Sequence, residues 1–157
     1  MVLVTSPLQR SGLRFAVQDG VARIEIDLPG AKVNKLTTPW MSAFEALLER
    51  LATADPVRAI VLASGKPDTF IAGADIDEIE ALDSMAAARD KSRFGQRVFA
   101  RLEGLGKPVV AAIHGACLGG GCELVLACHA RVASDDPATR LGLPEGELRS
   151  EEHTAEI

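Results

Sequence analysis

Two short apolar runs, each bracketed by turn residues, limit most strongly what this chain can fold into. Residues 58–63 (RAIVLA) lie between Asp55-Pro56 and Ser64-Gly65. Residues 109–113 (VVAAI) follow Gly106-Lys107-Pro108 and run into the glycine-rich stretch 114–121. Runs of this length with such borders read as buried strands. Segments with helical spacing separate them. Thr37 or Thr38 caps the first, with Pro39 near its first turn, and Trp40, Phe44, Leu47, Leu48 and Leu51 form one buried stripe. Ser84 starts a longer helix running to about Leu105, interrupted or softened near Gly95. Strand alternating with helix predicts an α/β fold with mainly parallel pairing.

The remaining segments fit that class. Residues 14–28 alternate around Asp19-Gly20, a pair suited to a tight two-residue turn, so a β-hairpin is expected. Residues 66–82 read as a loop passing into a short helix, and 114–121 as a turn. Residues 123–128 read as the helix leaving that turn, with strands at 131–134 and 139–141. No strong repeat is visible in the sequence.

Composition narrows the function. The chain has 157 residues, enough for one core, with 47% hydrophobic and 25% charged residues. A net charge of −5 argues against nucleic-acid binding, which needs a basic face. No run approaches the ~20 apolar residues of a membrane span, and no signal peptide opens the chain, so a cytoplasmic location is expected. Cys117, Cys122 and Cys128 fit neither a disulfide framework nor zinc spacing and are expected to be buried core thiols.

The chemistry concentrates in two glycine-containing turns. One is Ile71-Ala72-Gly73-Ala74-Asp75-Ile76; the other spans His114 to Leu124 and contains Gly119-Gly120-Gly121. Each follows a strand and leads into a helix, whose first turn presents unpaired N–H groups. Two such N–H groups converging on one point would stabilise an oxyanion, such as the enolate of a thioester. The second turn lacks the dinucleotide, P-loop and nucleophile-elbow patterns. Glu123 follows its glycines at the mouth of an apolar helix and is expected to face a cleft. Glu145, in LGLPE, lies 22 residues further on (145 − 123). Two carboxyl groups around one water can hydrate a double bond, one taking a proton from the water and the other giving one to carbon. His114 at a strand end is expected to make a structural hydrogen bond to backbone, and His129 to sit at a helix C-terminus. Asp75 and Asp77 are weak as a metal site; Asp75 reads better as a helix cap, and no metal site is expected.

FIAGADIDEI, followed about forty residues later by KPVVAAIHGACLGGGCELVLACHARVAS, resembles the crotonase (enoyl-CoA hydratase/isomerase) superfamily. The similarity runs from about Phe15 to Glu145. Within the family the flavour is that of the N-terminal hydratase domain of fatty acid oxidation complex alpha subunits. The resemblance implies a spiral of β-β-α units that binds acyl-CoA thioesters. It implies Ala74 and Gly120 N–H groups as the oxyanion hole, with Glu123 and Glu145 as the catalytic pair. Ala72, Gly73, Asp75 and Gly119 then belong to the substrate-binding stretch. The implied reaction is hydration of a trans-2-enoyl-CoA, with coenzyme A as part of the substrate and no separate cofactor. The alternatives are an isomerase of the same superfamily, or an inactive acyl-CoA-binding fragment. Residues 1–148 are expected to form a hydratase domain that stops short of the family's C-terminal part, and with it of a family-type oligomer or beta-subunit interface. Residues 149–157, without apolar periodicity, are expected to be a disordered or artefactual tail.

Overall fold

The computed structural model describes Leu8 and residues 10–144. Strands β1 (Leu13–Gln18) and β2 (Val21–Ile26) form the expected hairpin, with Leu13 opposite Ile26 and Gln18 opposite Val21. Asp19 and Gly20 take positive φ angles of 51° and 81°, the geometry such a turn requires. Helix α1 (Thr38–Thr53) follows, capped by the Thr37 side chain, which accepts from Trp40 N. Then come β3 (Ala59–Ser64), β4 (Thr69–Ile71), α2 (Ile76–Glu80) and α3 (Met85–Glu103). The chain continues through β5 (Val109–Ile113), β6 (Ala116–Leu118), α4 (Gly120–Leu126), β7 (Ala130–Ala133) and β8 (Arg140–Gly142).

The strands divide between two sheets. One has the order β1-β2-β3-β5-β7 and the other β4-β6-β8; every pairing except the hairpin is parallel. Each unit therefore sends its first strand to the large sheet and its second to the small one, and each new unit docks beside the one before. Four units follow one another: β2 with α1; β3 and β4 with α2 and α3; β5 and β6 with α4; β7 and β8. Even the first has a rudimentary second strand, a parallel bridge between Leu36 and Ala74. This is the spiral of β-β-α units that the resemblance implies.

Four sequence expectations need correction. Residues 69–71 and 116–118, read as loop and turn, are strands; at three residues each they are too short to show a period. Helix α3 runs unbroken through Gly95, because Phe94, Val98, Phe99 and Leu102 anchor it to the core on either side. Helix α4 begins at Gly120, three residues earlier than expected, so Glu123 falls within its first turn. That helix is also less buried than its apolar sequence suggests, with Leu126 59% exposed.

Burial follows the expected periods. Trp40, Met41, Phe44, Leu47, Leu48 and Leu51 of α1 are buried, and Trp40 stacks on Phe44 at 4.8 Å. They meet Ile24, Ile60, Leu62, Val109 and Ala111 from the large sheet, and Val98 and Leu102 from α3. Burying each such side chain contributes about 1.5–3 kcal/mol. The three cysteines are buried thiols, as expected. Burial pushes Cys117 and Cys128 up to about 12.

Candidate active site

The two glycine corners lie at equivalent places in consecutive units, each where a small-sheet strand turns into a helix. Pairing of β4 with β6 sets them side by side. A Cβ built on Gly120 would stand 3.7 Å from Ala74 N, 3.8 Å from Glu123 Oε2 and 2.9 Å from Leu36 Cδ1. One small space is thus bordered by a backbone N–H, a glycine at a helix start and a carboxylate. It opens into a cleft of about 380 Å³ that Ala74, Gly120 and Glu123 line together.

Local hydrogen bonding explains why the Ala74 N–H is left out of the backbone ladder. Ala72 N donates to Asn34 O (2.8 Å), Leu36 N to Gly73 O (2.8 Å) and Asp75 N to Leu36 O (3.3 Å). In a regular parallel ladder the donors would be residues 72 and 74; here they are 72 and 75. One extra residue is inserted, and Gly73 absorbs it with φ +133°, a conformation that strains any residue with a Cβ. The insertion takes Ala74 N–H out of the ladder, and among the described residues it donates no backbone bond. Gly120 opens α4, where a helix leaves its first N–H groups without internal partners. The first internal bond runs from Glu123 N to Gly119 O, 3.1 Å.

The other expected site residues fall nearby in different roles. Gly119 (φ 51°, ψ −124°) makes the sharp turn into α4, and its N–H is taken by Gly142 O at 3.0 Å. Asp75 caps α2, accepting from Asp77 N at 3.1 Å, and lies 3.6 Å from Lys35 Nζ. Glu123 is exposed to the cleft, and among the described residues no side chain donates a hydrogen bond to it. Glu145 lies outside the described residues. His114 is a correction: its Nδ1 meets Ser134 Oγ at 3.0 Å rather than backbone. His129 makes the backbone bond instead, accepting from Val109 N at 3.2 Å.

The cleft wall holds residues that the sequence reading passed over. Phe94 and Phe99 of α3, Met41 of α1 and Ile79 of α2 make it largely apolar. At its edge Glu78 accepts from Thr38 N (3.0 Å) and Thr38 Oγ1 (2.6 Å), and pairs with Lys91. Partial burial raises the Glu78 carboxyl, but the hydrogen bonds from Lys91 and Thr38 outweigh it and hold it below the usual range. No single pattern in the sequence marks these three residues, because each sits on a different element.

Units of two strands and a helix, wound so that successive corners meet over one cleft, define a crotonase-fold protein. The chain belongs to the enoyl-CoA hydratase/isomerase family, whose model matches residues 16–148. It is 50% identical over 130 residues to fatty acid oxidation complex subunits alpha from Shewanella amazonensis and Idiomarina loihiensis, covering 83% of this chain and 18% of each of theirs. An enoyl-CoA hydratase from Bacillus anthracis superposes with a TM-score of 0.80 at 28% identity, over 87% of this chain and 52% of that one. Pseudomonas aeruginosa DspI gives 0.77 at 31% identity, over 87% and 54%. The chain thus spans about half the length of these solved relatives and under a fifth of the two complex subunits. Among the described residues no helix is long and apolar enough to cross a membrane.

Proposed function

We propose that this site hydrates enoyl-CoA thioesters, adding water across the 2,3 double bond to give the 3-hydroxyacyl-CoA. One observation carries the reading: Ala74 N and Glu123 Oε2 lie 3.7 and 3.8 Å from the same point above Gly120. A thioester oxygen seated beside that point, clear of the Gly120 Cα, would accept from the Ala74 and Gly120 N–H groups. As water adds at C3, electron density moves through C2 to that oxygen, where the N–H dipoles stabilise it. Glu123 takes a proton from the water, and C2 then receives one as the carbonyl re-forms.

Glu145 is the proposed proton donor to C2. Strand β8 supports this, because it pairs with β6 and brings Gly142, three residues earlier in the chain, against the Gly119 corner. The reaction needs only water and the substrate, whose coenzyme A is the handle for binding. The acyl-CoA is the proposed partner, and the cytoplasm the proposed location.

The test is loss of the enoyl-thioester absorbance of crotonyl-CoA. Glu123→Gln and Glu145→Gln should each lower the rate by about 10²–10⁴-fold with the fold intact. A 3-enoyl-CoA separates hydration from isomerisation by its products. Undiminished turnover in both variants would overturn the assignment.

A further inference from the structure

We infer that Asn34 is a positioning residue for the Ala74 N–H donor. This inference rests on the hydratase reading and adds to it a residue that never touches substrate. Asn34 is completely buried, one of only two buried polar side chains among the described residues. Every polar group of its amide is used. Oδ1 accepts from Leu28 N at 2.9 Å. Nδ2 lies 2.9 Å from Ile26 O, 3.0 Å from Ser64 Oγ and 3.1 Å from Phe70 O. These partners come from β2, the loop after it, the end of β3 and the middle of β4.

The Phe70 contact links Asn34 to the site. Strand β4 carries its own irregularity against β6: Thr69 pairs with Ala116 but Ile71 with Cys117, so Phe70 is an extra residue there. Its carbonyl is met by the Asn34 side chain. The backbone carbonyl of Asn34 then takes Ala72 N, the last regular donor before the inserted residue at Gly73. Asn34 thus fixes the stretch 70–72 from both its side chain and its main chain, and that stretch sets where the ladder slips. Without the amide, the Phe70 carbonyl loses a buried partner, and the segment is free to shift by one residue. A regular register would put Ala74 N–H on Leu36 O, and the donor would leave the cleft.

The experiment reads donor strength directly. The thioester C=O of bound [1-¹³C]butyryl-CoA, which cannot be hydrated, is followed by isotope-edited infrared spectroscopy, alongside kcat and KM for crotonyl-CoA. In the unaltered protein the band should shift to lower frequency on binding. In Asn34→Ala, most of that shift should disappear, and kcat should fall by about tenfold or more while KM changes little. Gly73→Ala should do the same, since its Cβ meets only Leu118 O at 3.6 Å and the penalty is one of backbone conformation. Leu47→Ala, a destabilising core change in α1 outside the segments 34–36 and 70–75, should keep the full shift. If Asn34→Ala does not fold, Asn34→Asp keeps the shape and the acceptor but lacks the N–H donors. A folded Asn34 variant with the full shift overturns the proposal alone. No shift in the unaltered protein overturns the hydratase reading and this proposal with it.

Discussion

A single methyl group at Gly120 would enter the space that the proposed chemistry needs. It would press on Leu36 Cδ1 at 2.9 Å and stand 3.7 Å from Ala74 N and 3.8 Å from Glu123 Oε2. The Leu36 side chain can yield, so Gly120→Ala should destabilise by only about 1 kcal/mol. Its kcat should nevertheless fall by about 10²-fold, because the methyl crowds the proposed oxyanion position. Thermal melting beside crotonyl-CoA kinetics checks both; equal losses of stability and activity would contradict this. The three successive glycines before an apolar helix are plain in the sequence, whereas the role proposed for Gly120 comes from the family resemblance. Asn34 is not legible in the same way. Its partners are almost all backbone groups, which leave no complementary residue type to find. The only trace is that Asn34 and Leu36 alternate with exposed or half-buried neighbours, like residues of a strand too short to notice.

The Thr38–Glu78–Lys91 cluster ties α1, α2 and α3 together at the cleft edge. Helix α2 has five residues, none of them buried, so it depends on this tie for its place. The folded-state Glu78 carboxyl is held below its ordinary value of 4.5, so its contribution is present above that value. It is lost as pH falls further, through the lowered folded value. The protection factors of amides in residues 76–80 should therefore fall in acid, at pH below about 4.5, before the sheets open. Glu78→Gln should abolish that pH dependence. Lys91→Met should loosen α2 at neutral pH, at a cost of about 0.5–1 kcal/mol. Persistent acid sensitivity in Glu78→Gln would assign the effect elsewhere. The long helices were legible because each combines a side-chain cap with an apolar stripe. Strands β4 and β6 were not, because three residues show no alternation and glycines beside them read as turn.

The repeat that organises the molecule is structural rather than sequential. The units share a path and a docking rule, while their apolar residues are set by what each packs against. Helix α1 carries six buried side chains and α2 none, so the units share no common pattern of buried helix positions. Parallel α/β character could be read from the order of elements, whereas the division into two sheets depended on long-range pairing. The last strand of each sheet, β7 and β8, leaves Val132 and Leu141 64% and 45% exposed. The three thiols, by contrast, are buried. At neutral pH Cys117 and Cys128 have almost no thiolate, and both are shielded from reagent. Alkylation by iodoacetamide should therefore be slow in the native protein and rapid in urea. The chain carries its own chemical clock: the rate at which mass increments accumulate records how often the interior opens to solvent.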